Sequence, residues 1–220
     1  MNEKPILNLT ELNSLGRAQE INREKDGKLL REITANIKKT MRKNGLTSLS
    51  APGIGYNKRV FCIDFSDQEI KTFINPVITN AEGLQLAKEI CSSIPGKEYI
   101  RPRNTTVDII YETPTGKIKT NRFSDIAAFV IQHEIDHLEC VTLEDIGLEI
   151  ESDFEEATQD ERNEIINMYL DSLDLRQKDL DTEIESDDEL KVVSERLKFT
   201  EALAKGEITF DKLDELTNKN

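Results

Sequence analysis

The chain carries only two histidines, His133 and His137, and both fall in the nine residues IQHEIDHLE, with Glu134 directly after the first. Residues four apart on an α-helix share a face about one turn from each other, so both imidazoles can aim a ring nitrogen at a single ion. Glu134 projects nearby but off that line, which lets its carboxylate act as a base toward water instead of as a ligand. A catalytic site of this kind takes three protein ligands and keeps one position open. The third ligand therefore decides the class of chemistry. One source is a downstream carboxylate, Glu151, Glu155 or Glu161; the other is a thiolate from Cys62, Cys91 or Cys140. Cys91 stands out in KEICSSIPGKEY, beside an acidic residue and ahead of a Ser/Gly/Pro-rich turn where backbone amides can face a ligand. Cys62 alternates within VFCIDF as a buried strand thiol would, and Cys140, just after the histidines, fits a packing role.

These side chains need elements to position them. Ser124 or Asp125 can cap a helix, IAAFVIQHEIDHLE, whose apolar positions Ile126, Phe129, Val130 and Ile131 precede the histidines. Residues 27–44, GKLLREITANIKKTMRKN, set Leu30, Ile33, Ile37 and Met41 at helical spacing, and Asn44-Gly45 supplies a stop. Between the two helices, a loop TSLSAPGIGYN leads into RVFCIDF, KTFINPVI, TVDIIYET and KIKTNRF. Each has a strand's apolar and β-branched pattern, with Pro114-Thr115-Gly116 as a turn. This order predicts an α+β fold, with antiparallel sheets packed around a central HExxH helix and further helices toward the C-terminus.

The formal charge of -14 is unevenly spread: residues 1–150 hold 20 Lys+Arg against 21 Asp+Glu, whereas residues 151–220 hold 9 against 22. We therefore expect a domain over residues 1–150 and an acidic extension over 151–220, helical or partly disordered. Its apolar stripes are Ile165, Met168, Tyr169 and Leu173, then Leu190, Val193 and Leu197. Phosphate contacts require clustered Lys and Arg, so the extension is not expected to bind nucleic acid; a basic protein partner fits its sign. No run approaches the ~20 apolar residues of a membrane helix, and three cysteines without repeat spacing suit a soluble protein of a reducing compartment.

Three segments, in chain order and at approximate spacing, resemble the peptide deformylase family, whose patterns are GφGφAAPQ, EGCLS and HEφDH, with φ apolar. Here they are LTSLSAPG (46–53), EICSS (89–93) and HEIDH (133–137), supported by FINP, by the IPG after the second and by QHEIDHLE around the third. The resemblance covers roughly residues 5–150. It implies one divalent ion, Fe2+ first and Zn2+, Ni2+ or Co2+ as substitutes, held by Cys91, His133 and His137, with Glu134 as general acid and base. The implied reaction removes the N-formyl group from formyl-methionyl peptides of nascent chains, in the cytoplasm. Arg103 matches a family position near the peptide backbone, and Ile54, Ile126, Phe129 and Val130 match the methionine pocket.

The chain also departs from the pattern. Leu46 and Ser48 replace two glycines, Ile90 and Ser92 replace Gly and Leu, and Gly53 stands where the family has glutamine. In the family that amide, with the backbone N–H of the residue after the cysteine, here Ser92, stabilises the developing oxyanion. Losing one such donor costs ~10²- to 10³-fold in rate. The expectation is a weakened or retuned hydrolase in which Ser92, Ser93 or an ordered water partly replaces the amide. The alternative is a non-catalytic deformylase-fold binding module with an acidic docking tail; an HExxH protease with a glutamate ligand comes third.

Overall fold

The computed structural model describes residues 4–65, 69–83 and 85–150. In chain order the helices are α1 (Leu9–Asn13), α2 (Arg23–Asn44), α3 (Asp125–Leu138) and α4 (Leu143–Ile146). The strands are β1 (Ser48–Ser50), β2 (Val60–Asp64), β3 (Ile70–Glu82), β4 (Gln85–Cys91), β5 (Ile94–Arg103), β6 (Thr106–Glu112), β7 (Ile118–Ser124) and β8 (Leu148–Ile150). Two antiparallel sheets result, one ordered β1-β2-β3-β6-β7 and the other β4-β5-β8. The α+β class is as the sequence predicts. The extension from residue 151, with its expected helices and its status as a second unit, lies outside the described residues.

Helix α2 buries Leu30, Ile33, Ile37 and Met41, as their spacing requires, against β1 and β2. It begins ahead of Gly27 because the Asn22 side chain accepts hydrogen bonds from the amides of Glu24 and Lys25. It ends at Gly45, whose φ of 65° is the left-handed cap that glycine adopts at little cost. The loop after it thereby turns back into β1, bringing residues 46–53 beside α3.

Helix α3 lies between the sheets. Ala128, Ile131 and Leu138 are fully buried, and with Ile135 they form a stripe against Phe61, Phe73 and Tyr111 of the larger sheet. The rings of Phe61 and Phe73 stack at 4.7 Å, which fixes the floor under the helix. The core stripe therefore runs through 128, 131, 135 and 138, and of the apolar positions ahead of the histidines Ile131 lies within it. Ile126, at the start of the helix, is 76% exposed. The opposite face presents His133, Asp136 and His137 toward the three-stranded sheet. Along this seam, Arg101 and Arg103 of β5 both reach Asp136.

Candidate metal centre

Cys91 is the last residue of β4 and pairs with Ile94 across a two-residue turn, Ser92-Ser93. That hairpin holds the thiol against α3. Its Sγ lies 3.3 Å from His137 Nε2, which in turn lies 3.1 Å from His133 Nε2. The imidazole planes are nearly perpendicular, at 86°, and the three donor atoms all lie within 4.8 Å of one another. An ion about 2.3 Å from sulfur and about 2.0–2.1 Å from each nitrogen, bound tetrahedrally, spans edges of about 3.5 and 3.4 Å. The two close separations are a few tenths shorter and the third lies within 4.8 Å, so the donors surround a space of the right size for such an ion after sub-ångström adjustments of the side chains. Of the other candidate ligands, Cys62 is wholly buried, shares a 3.4 Å contact with Thr72 Oγ1, and has its thiol pushed up to about 11 by burial. Cys140 lies just beyond α3 with its Sγ 3.7 Å from the Asn13 carbonyl. Glu151, Glu155 and Glu161 lie outside the described residues.

A chain of charges stands behind the histidines. His133 Nδ1 is 2.8 Å from Glu89 Oε2, and Arg103 donates to both Glu89 oxygens, at 2.6 and 2.8 Å, and to Asp136 at 2.6 Å. Arg103 is 2% exposed. It is therefore not a peptide-facing arginine as the resemblance implied; its guanidinium is consumed by two carboxylates behind the ligand helix. Burial opposes every charge here, and the partners outweigh it. Arg103 holds Glu89 well below the carboxylate range, and Glu89 and Asp136 hold the Arg103 proton more tightly than usual. Burial alone would lower His133, but its hydrogen bonds to Cys91 and Glu89 push it up to about 10. Burial and the neighbouring His133 charge keep His137 well below its ordinary value.

A cavity of about 690 Å³ opens onto this cluster, walled by residues 45–50 and 53 on one side, by residues 90–98 on another, and by His133, Glu134 and His137. Glu134 is 3% exposed and its Oε2 has no hydrogen-bond partner. Burial raises its pKa, while the His133 charge and the Ser48 and Ser50 hydroxyls pull the other way. Ser92 and Gly53 line the same cavity. The four residues expected to form a methionine pocket do not line it together. Ile54 sits in the core under α2, Ile126 is exposed, Val130 packs toward the aromatic cluster, and Phe129 is half-buried. Leu46, Leu49, Ile90 and Ile94 supply the cavity's apolar surface instead. Glu89 and Ser50 were not singled out in the sequence. Glu89 sits two residues before Cys91 and could have been found as the carboxylate that a ligating histidine needs against its other ring nitrogen.

The sequence profile described as polypeptide deformylase matches residues 4–147. The peptide deformylase of Dictyoglomus turgidum is 31% identical over 126 residues, 57% of this chain and 82% of that protein. The enzyme of Cytophaga hutchinsonii is 38% identical over 124 residues, 52% of this chain and 66% of that one. Among solved structures, peptide deformylase from Thermotoga maritima superposes with a TM-score of 0.60 at 25% identity, covering 66% of this chain and 97% of that one. A probable peptide deformylase from Synechococcus phage S-SSM7 gives 0.60 at 28% identity, covering 65% and 99%. With the profile spanning residues 4–147 and the fold shared over 66% of the chain, the protein belongs to the polypeptide deformylase family and is a hydrolase of that type.

Proposed function

We propose that the protein removes the formyl group from formyl-methionyl peptides, using one divalent ion held by Cys91, His133 and His137, with Fe2+ as the native metal. The observation that carries this reading is the convergence of those three donors on a cavity that also holds the buried Glu134 carboxyl. A thiolate with two imidazoles suits Fe2+, Zn2+, Ni2+ or Co2+ alike. Bound there, the ion supplies Lewis acidity and makes water acidic enough to ionise near neutral pH. Glu134, outside the ligand set and strengthened as a base by burial, takes the proton from the attacking water. It returns that proton to the departing amine, so the formyl carbon leaves as formate and the peptide gains its amino group. The Ser92 backbone N–H is the donor to the developing oxyanion. Leu46, Leu49 and Ile94 offer the surface for the methionine side chain.

Gly53 weakens this machinery without dismantling it. A Cβ there meets the Leu49 Cδ1 atom at 3.1 Å and the Ser50 Oγ atom at 3.6 Å. The first contact is the end of a flexible side chain, so a glutamine can be accommodated. Gly53→Gln is expected to raise kcat/KM for formyl-Met-Ala-Ser, followed by formate release, by about tenfold or more. No gain alongside measurable wild-type activity would mean that the cavity is arranged for another acyl substrate.

The second reading, a binding module on the same fold, is favoured by Gly53 itself and by the 9-to-22 charge imbalance of residues 151–220, which suits a basic protein partner. We take residues 1–150 as the hydrolase unit and the remainder as an appended acidic segment. Deleting 151–220 separates the readings: partner binding lost with hydrolysis absent both before and after supports the module. A role on nascent chains fits a cytoplasmic protein. Among the described residues no helix is long and apolar enough to cross a membrane.

A further inference from the structure

We propose that the Ser50 hydroxyl has taken over, in part, the hydrogen-bond donation that the amide missing at Gly53 would supply to the reacting oxygen. This inference rests on the deformylase reading above. Ser50 is 1% exposed and lies on the cavity wall, where its Oγ is buried without a hydrogen-bond partner. Natural interiors seldom leave a hydroxyl in that state unless it serves a group that arrives later. Its position is the informative point. The oxygen lies 3.6 Å from where a side chain at 53 would begin, so it borders the space that a longer residue at 53 would enter. It also flanks the Glu134 carboxyl, whose Oε2 is likewise buried and partnerless. The hydroxyl sits close enough to the carboxyl to help hold its pKa down, yet makes no well-formed hydrogen bond, so a donor and an acceptor face one cavity beside three metal-ligand atoms. A hydroxyl hydrogen turns to whichever acceptor is presented, so Ser50 can donate to a substrate oxygen without rearrangement of the backbone.

The sequence pattern agrees with this exchange. Aligned on GφGφAAPQ, LTSLSAPG has Ser50 at the first of the two alanines and Gly53 at the glutamine, so one donor is gained three residues before another is lost. Ser92 and Ser93, the replacements suggested by sequence, sit on the other wall of the cavity, in the Cys91 hairpin.

The test is a double-mutant cycle on the full-length, metal-loaded protein, using Ser50→Ala and Gly53→Gln, with formate release from formyl-Met-Ala-Ser, bound metal and Tm as readouts. Ser50→Ala is expected to lower kcat on the order of 10- to 100-fold with KM little changed. Tm and metal content should change little, because the hydroxyl removed makes no well-formed hydrogen bond in the resting fold and only moderates the charge of Glu134 beside it. In the Gly53→Gln background, where an amide donor is restored, the loss from Ser50→Ala should shrink to about threefold or less. An equal loss in both backgrounds would assign Ser50 to the support of Glu134 and overturn the proposal. So would a loss accompanied by lower Tm or metal content, and so would no loss at all in a wild type that releases formate. A metal-loaded wild type that releases no formate fails at the earlier step, refuting the deformylase reading and this inference together.

Discussion

Glu134→Gln is expected to lower kcat for formyl-Met-Ala-Ser by about 10³-fold, within the ~10²- to 10⁴-fold range of a positioned acid–base group, while bound metal stays near one per chain. Glutamine preserves the volume of a side chain that is 3% exposed, so packing is kept and only the proton acceptor is lost. The carboxyl's Oε2 bonds to nothing in the resting fold, and burial already disfavours its charge. Replacing it with a neutral group should therefore leave Tm unchanged or raise it. Activity would fall while stability holds, the pattern of a group whose environment serves catalysis. Metal lost along with activity would instead place Glu134 among the ligands.

Arg103→Met should act in the opposite way, on stability and metal affinity together. Its guanidinium makes two bonds to Glu89 and one to Asp136 at 2% exposure, and removing it leaves Glu89 as a buried anion with only His133 beside it. Breaking a buried pair from one side costs on the order of 3–5 kcal/mol, readable as a shifted urea midpoint. Asp136 retains Arg101, which moderates the loss on that side. Glu89 also orients His133, and the loss of such outer partners typically weakens metal affinity by about 10- to 100-fold. A peptide-binding arginine predicts something different: a raised KM with stability and metal intact. The two outcomes separate the observed geometry from the role the resemblance implied.

What was legible in the sequence was whatever local pattern dictates. The i, i+4 histidines, the thiol ahead of a turn and the Leu30–Met41 stripe depend on spacing, and all are where spacing puts them. The smaller sheet was not legible. Its longest strand, IPGKEYIRPR, contains Pro95 and Pro102 and turns Arg101 and Arg103 inward, a pattern that resembles a loop until Asp136 and Glu89 are placed opposite. Arg103 was misassigned for the same reason, since a charge does not announce which way it faces. Ile126 was assigned to an apolar pocket by type alone, without the phase of the helix, which Ala128, Ile131 and Leu138 set. Ser50 passed as an ordinary loop hydroxyl because only its burial marks it out.

The most direct test of the central claim is metal content and formate release measured together, on protein purified without oxygen, before and after chelation and return of Fe2+, with Cys91→Ala alongside. The account predicts about one ion per chain, formate release that vanishes on chelation and returns with metal, and a variant that loses both. A full complement of metal with no formate, or a Cys91→Ala protein that keeps its ion and its activity, would contradict it.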